Sequence, residues 1–282
     1  MISNLPNLHH KRHMEEPFRF NIMLAGSKGL GKTTFFNNFI NKSILDQKIN
    51  REIINNICNI SVEKMEINES NFVVKMDLVE VDGIGDHVDN KKCSEPIINL
   101  LKDRFNDYLY QFENKIKRLI DDLRIHVCLY FIEPIPFLKQ ADIDVIKDIS
   151  KYCNVIPIIG KADMMTEEEL HYLKEEITNK IRDTDIFYMS CNKNLSDIRE
   201  YNWGTVERQS FDFYKLRGVL LEKNTKDLID ETEFLYDQYR MNILAEELFE
   251  DKEFLSVFSE QNEEIEAIKQ RIAGKRELLN GS

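Results

Sequence analysis

Short β-rich apolar runs alternate, through the first two-thirds of the chain, with longer stretches whose apolar residues recur at helical spacing. That alternation predicts an α/β fold around a mostly parallel sheet. The pattern places a first strand over Phe20 to Ala25, a helix over Lys32 to Asn41 and one or two strands over Phe72 to Val81. Further strands are predicted at Ile125 to Ile132, Asn154 to Ile159 and Ile186 to Met189. Helices are predicted over Glu95 to Leu119, Gln140 to Tyr152 and Thr166 to Ile181.

From Glu246 onward the pattern becomes that of an acidic helix, with ten acidic against five basic residues. Phe258, Ile265, Ile268, Ile272 and Leu279 fall on heptad a and d positions, while Gln261 and Lys275 fill the remaining d sites. Two readings stay open there: a short coiled coil, or a solvated amphipathic helix lying on its own domain.

Composition narrows the function classes. With 42% hydrophobic and 31% charged residues there is material for a large core. Lys and Arg number 38 against 50 Asp and Glu, a net charge of −12, which argues against broad nucleic-acid binding. No apolar run approaches the roughly 18 to 20 residues of a membrane span, and the N-terminus has no secretory pattern, so a cytoplasmic protein is expected. Cys58, Cys93, Cys128, Cys153 and Cys191 are odd in number and never spaced as CxxC, which predicts neither a disulfide framework nor a zinc site.

The chemistry concentrates in Gly26-Ser27-Lys28-Gly29-Leu30-Gly31-Lys32-Thr33, with Thr34 following, between the first predicted strand and its helix. This fits GxxxxGK[ST], in which glycines let backbone N–H groups turn inward around a polyphosphate at a helix N-terminus. Lys32 is expected to reach the β- and γ-phosphates, and the Thr33 hydroxyl to ligate Mg²⁺.

After the predicted strand ending at Ile159 stands Gly160-Lys161-Ala162-Asp163, which matches [NTA]KxD except for its Gly. A carboxylate at Asp163 can accept from both N1 and N2 of guanine, a donor pair adenine lacks. The Lys161 stem is expected to lie on the base plane, and Ser190-Cys191-Asn192 to offer N–H groups to the guanine O6. The expected cofactors are therefore GTP or GDP with Mg²⁺.

These motifs, with Gly83-Ile84-Gly85-Asp86-His87-Val88-Asp89-Asn90, the run Arg124 to Ile132 and Arg199-Glu200-Tyr201-Asn202-Trp203-Gly204-Thr205-Val206-Glu207, resemble those of the septins over most of the chain. The last stretch resembles the septin unique element, which generic GTPases lack. The resemblance implies a three-layer P-loop GTPase fold, Arg199 against the guanine, Gly83 giving its N–H to the γ-phosphate and Trp203 at an interface across two bound nucleotides. A planar guanidinium suits stacking on a base, and the single Trp suits an interface anchor, a core-filling role being the alternative. It also divides the chain into a leader (1–17), a GTP-binding domain (18–198), the unique element with its following helices (199–245) and the acidic tail (246–282).

Departures from the family pattern bear on activity. Where septins usually read DTPG this chain has Glu80-Val81-Asp82-Gly83, and the switch Thr of hydrolysing septins falls near Ile57, with Ser61 the nearest hydroxyl. The loop Pro134 to Lys139 lacks the family's His. The leader carries His9-His10-Lys11-Arg12-His13 where septins have a basic helix that can touch acidic lipids. Two fixed charges at about 1 kcal/mol each give marginal anionic-membrane contact.

The resemblance implies a subunit that polymerises with other septins into hetero-oligomeric cytoskeletal filaments, at the cell cortex or division septum, with slow or absent GTP hydrolysis. The rival reading is a GTP-hydrolysing switch acting as a monomer or transient dimer, which an intact switch Thr and DxxG would have favoured.

Overall fold

The computed structural model describes residues 18–40, 58–69, 72–86, 90, 92–114, 120–181, 185–190, 198–201, 204–207, 212–220 and 225–250. The basic leader segment, Ile57, most of the heptad tail and Trp203 lie outside the described residues. The chain divides into two compact units, Met1–Tyr236 and Asp237–Ser282.

In the first unit the order is β1 (Phe18–Arg19), β2 (Ile22–Gly26), α1 (Lys32–Ile40), β3 (Asn59–Glu69), β4 (Phe72–Asp82), α2 (Glu95–Asn114), β5 (Val127–Ile132), α3 (Gln140–Ile149), β6 (Asn154–Ile159), α4 (Glu167–Lys180) and β7 (Phe187–Tyr188). The hairpin β8 (Ile198–Tyr201) and β9 (Gly204–Glu207) follows, then α5 (Phe213–Gly218) and α6 (Thr225–Glu250).

Strands β1 and β2 lie on one side of β4 in a single register, Phe18 opposite Val74 and Ile22 opposite Leu78, so they form one interrupted strand. At the interruption the side chain of Asn21 takes over the ladder. Its Oδ1 accepts from the Asp77 N–H at 3.0 Å, and its Nδ2 donates to the carbonyls of Asp122 and Arg124 at 2.9 and 2.7 Å. The sheet runs β3, β4, β1/β2, β5, β6, β7, parallel throughout except for β3, which pairs antiparallel with β4 along its whole length.

Because successive strand residues face opposite sides, a strand covered on both faces is apolar at every position. In β2, Met23 and Ala25 join one core with α2, α3 and α4, through Ile97, Leu101, Ile143, Ile146, Leu173 and Ile177. Ile22 and Leu24 join the other, with Phe35, Phe36 and Phe39 of α1, Phe213 of α5 and Leu228 of α6. Two helical layers thus sandwich the sheet, the α/β architecture expected.

Predicted boundaries shift where local chemistry intervenes. Helix α3 stops at Ile149, three residues short of the predicted end, and the Ser150 N–H and hydroxyl both close on the Ile146 carbonyl, at 2.9 and 2.7 Å. Helix α4 starts where predicted, with Thr166 and Glu169 forming a reciprocal capping box. The last predicted strand narrows to Phe187–Tyr188, and β3 is a strand that the periodicity did not separate out. Among the described residues no helix is long and apolar enough to cross a membrane, and Cys58, Cys93, Cys128 and Cys153 are buried free thiols.

Candidate nucleotide-binding site

The carboxyl ends of β2, β4, β5 and β6 share one edge of the sheet, the edge where open α/β sheets bind ligands. From β2 the chain enters the P-loop at Gly26, whose φ of +135° excludes ordinary side chains; a Cβ there would lie 2.4 Å from the Phe131 carbonyl oxygen. The loop closes into α1 with Phe35 N–H on the Gly31 carbonyl at 2.8 Å.

Lys32 is only 2% exposed. Its Nζ donates to the carbonyls of Gly26 at 3.0 Å and Ser27 at 2.6 Å, and pairs with Asp82 Oδ1 at 2.6 Å. The Ser27 hydroxyl donates to the Ile84 carbonyl at 2.9 Å and the Lys28 N–H to Asp86 Oδ2 at 3.0 Å, tying the loop to the segment after β4. Gly83 and Gly85 in that segment hold positive φ of 95° and 80°, and the Lys28 Cε lies 3.7 Å from where a Cβ on Gly83 would stand. Gly29 and Gly31 have positive φ and open space. Leu30 is buried, and Thr34 is half-buried on the first turn of α1.

The Thr33 hydroxyl donates to Glu80 Oε1 at 2.5 Å. Burial pushes the Glu80 carboxyl above its ordinary range; Thr33 and Lys32 oppose that rise, while Asp82 and Glu63 add to it. Ser61 of β3 stands directly opposite Glu80 in the antiparallel pair. Mg²⁺ takes oxygen ligands and is usually held by one or two protein groups together with water and substrate phosphates. The adjacent oxygens of Thr33 and Glu80 fit that requirement, whereas Asp82 is drawn to Lys32.

On the other side of the loop, the chain leaves β6 through Gly160, whose N–H donates to the Ile132 carbonyl at 3.0 Å. A Cβ on Gly160 would meet the Leu30 carbonyl oxygen at 3.0 Å, so the base-side turn and the P-loop are in contact. Lys161 follows in the left-handed region at φ 50° with its side chain exposed, and a single 3₁₀ turn, Ala162–Met164, carries Asp163. The Ala162 N–H on the Met189 carbonyl at 2.9 Å anchors that turn to the chain just after β7, and Asp163 is 2% exposed. Ser190 is half-buried there, while Cys191 and Asn192 lie outside the described residues.

The structure thus gathers Gly26 to Thr34, Gly83, Lys161 and Asp163 at one end of the sheet. Arg199 lies in the separate hairpin, opposite Val206, with Tyr201 opposite Gly204. Sequence reading missed two contacts, the Asp82 pair with Lys32 and the Asp86 acceptor for Lys28. The one signal available for the first was Asp at a position where the septin pattern has Pro.

Comparisons with known proteins identify the family and agree with the fold. The family model described as Septin matches residues 16–197 and 188–253. The cell division control protein 3 of Encephalitozoon cuniculi is 34% identical over 298 residues, covering 85% of this chain and 79% of that protein. Septin homolog spn4 of Schizosaccharomyces pombe is 31% identical over 282 residues, covering 85% and 74%. Cell division control protein 12 of Saccharomyces cerevisiae is 31% identical over 292 residues, covering 85% and 72%. The crystal structure of a septin GTPase domain from Chlamydomonas reinhardtii superposes with a TM-score of 0.62 at 18% identity, over 80% of this chain and 99% of that one, which is a likeness of fold. On the family match and these identities, the chain belongs to the septin family.

Proposed function

We propose that this septin binds a guanine nucleotide between the P-loop and the Asp163 turn and polymerises with other septin subunits into filaments that serve cell division, at the cell cortex or division septum. The observation that carries the reading is the contact of Gly160 with Leu30, which sets a phosphate-type loop and a buried carboxylate turn side by side. In this reading Gly26 to Thr34 and Gly83 hold the phosphates, Thr33 with Glu80 holds Mg²⁺, and Lys161, Asp163 and Arg199 hold the base. Magnesium, when bound, neutralises charge between the phosphates.

Assembly rests on the family relationship and on the unique element with its following helices (199–245), with Trp203 as an aromatic anchor of a contact across the nucleotide face. The tail 246–282 contributes weakly to pairing, since three imperfect heptads give little stability alone, and the two fixed positive charges of Lys11 and Arg12 give at most slight attraction to anionic lipid.

The test is the nucleotide released by denaturing the purified protein and resolved by chromatography. Guanine nucleotide is expected, and adenine nucleotide would overturn the assignment of Asp163. For assembly, Trp203→Ala is expected to shift sedimentation toward the monomer; unchanged association would remove Trp203 from the interface.

A further inference from the structure

The geometry points to Asp82 as an internal anion that competes with nucleotide phosphates for Lys32 and so weakens the grip of this septin on its nucleotide. The inference rests on the nucleotide reading of the P-loop given above.

An ammonium group has three N–H donors and no acceptor. At Lys32 three oxygens of the chain itself engage them: the carbonyls of Gly26 and Ser27 and the carboxylate of Asp82, at 3.0, 2.6 and 2.6 Å. The first two are main-chain atoms of the loop, and Gly26 is pinned against Phe131. Asp82 is the one partner on a side chain free to turn, 34% exposed at the end of β4 and followed by Gly83 at positive φ. A phosphate oxygen arriving at Lys32 therefore replaces Asp82.

The displaced carboxylate does not leave the neighbourhood, so it also faces the incoming phosphates as a like charge. A second contact repeats the pattern independently. The Lys28 N–H, a main-chain donor of the phosphate loop, is taken by Asp86 Oδ2 at 3.0 Å. Two carboxylates from one segment thus hold two of the loop's anion-binding donors. A Pro at position 82, as in the family pattern, could not make the first of these contacts. Asp82 meets a full ammonium charge at 2.6 Å whereas Asp86 meets a neutral N–H at 3.0 Å, so the Asp82 pair carries the larger effect.

The experiment uses the full chain stripped of nucleotide, with GDP and a non-hydrolysable GTP analogue titrated in Mg²⁺ buffer into wild type and Asp82→Asn. Asn keeps the size of the side chain and removes its charge. About tenfold tighter binding of both nucleotides is expected from the variant, equivalent to about 1.4 kcal/mol. Thermal melting supplies a signature that a merely structural role would not give. Without nucleotide the variant should melt below wild type, having lost an ion pair, and saturating nucleotide should raise its melting temperature by more than that of wild type.

Equal or weaker binding by Asp82→Asn overturns the inference, weaker binding marking Asp82 as a net contributor to the site. If Asn at this position impairs folding, Asp82→Ser removes the same charge and is held to the same outcomes. Failure of both wild type and variant to bind any nucleotide would instead overturn the nucleotide reading itself, and this inference with it.

Discussion

Gly160 stands so close to Leu30 that a single added methyl would lie 3.0 Å from the Leu30 carbonyl oxygen and 3.2 Å from its Cβ. The two residues belong to different loops, one proposed to serve the base and the other the phosphates. Their contact makes the spacing of the two half-sites depend on the absence of a side chain.

Gly160→Ala should therefore push the P-loop away from the base turn. Overpacking of this kind costs about 1 to 3 kcal/mol. The expected outcome is a lower melting temperature together with several-fold weaker guanine-nucleotide binding, read by calorimetric titration. Unchanged affinity would show that the P-loop gives way at no cost to the site.

Much of this arrangement could be read from the chain because the relevant strands are buried on both faces. Met23 and Ala25 face one core while Ile22 and Leu24 face the other, so β2 appears in the sequence as an unbroken apolar run, and β5 does the same. The P-loop then follows from where β2 ends, and Asp163 from where the apolar end of β6 does. Strand β3 was hidden for the opposite reason. Its apolar positions change phase between Val62 and Met65, which breaks the period-2 signal, and among the described residues it pairs only with β4. The contacts of Asp82 with Lys32 and Asp86 with Lys28 join residues 50 or more places apart through the pairing of β2 with β4, and residue spacing carries no record of that.

At the other end of the sheet, Arg124 is nearly buried, with its guanidinium 3.7 Å from the centre of the Tyr108 ring and 5.1 Å from that of Tyr236. It pairs with Asp122 through two hydrogen bonds, at 3.0 and 2.8 Å, and with Glu233 at 2.7 Å. Burial acts to raise the Asp122 carboxyl, but the His126 ring, its Nε2 3.7 Å away, and the hydrogen bonds from Arg124 outweigh it and hold the group well below its usual range. Arg124→Ala leaves that half-buried carboxylate, 24% exposed, without the donor of its two hydrogen bonds, a loss expected to cost about 1 to 3 kcal/mol in denaturant unfolding. Glu233→Gln, at a side chain 49% exposed, should cost no more than about 1 kcal/mol. Equal effects from the two substitutions would show that Arg124 is not the centre of the cluster.

Tyr130, fully buried in β5, donates its hydroxyl to Asp142 Oδ1 of α3 at 2.7 Å. Burial pushes the Asp142 carboxyl up, against the hydrogen bond from Tyr130 and the charge of Lys139. A carboxyl whose value is raised on folding stabilises the native state most when protonated. Its contribution is present below the unfolded value and is lost as pH rises through the raised folded one. The melting temperature of wild type relative to Asp142→Asn should accordingly decline as pH increases from the acid side. Tyr130→Phe removes the donor to this carboxyl and should cost about 1 to 3 kcal/mol at neutral pH. A wild-type to Asp142→Asn difference that does not change with pH would contradict the raised value.

Slow GTP hydrolysis is the expectation that depends most on chemistry particular to this chain. Phosphoryl transfer draws most of its acceleration from positioning, with metal, water and γ-phosphate held in line. Here Glu80 stands where the family pattern has Asp, and its Oε1 accepts from the Thr33 hydroxyl at 2.5 Å. The added methylene is expected to displace the carboxylate by roughly 1 Å relative to an Asp, and misplacement on that scale can cost on the order of a hundredfold in rate. Ser61, opposite Glu80 on β3, is the one hydroxyl in register with this pair, and Ile57 stands in the sequence near the place of the switch Thr. Single-turnover phosphate release from bound Mg²⁺·GTP should therefore be about a hundredfold slower than in a septin with both the Asp and the Thr. Glu80→Asp should recover part of that rate, and only part, because position 57 still lacks a hydroxyl. Wild-type release as fast as in the intact septin would sink this account, and loss of that fast release in Ser61→Ala would then identify Ser61 as the substitute for the missing Thr.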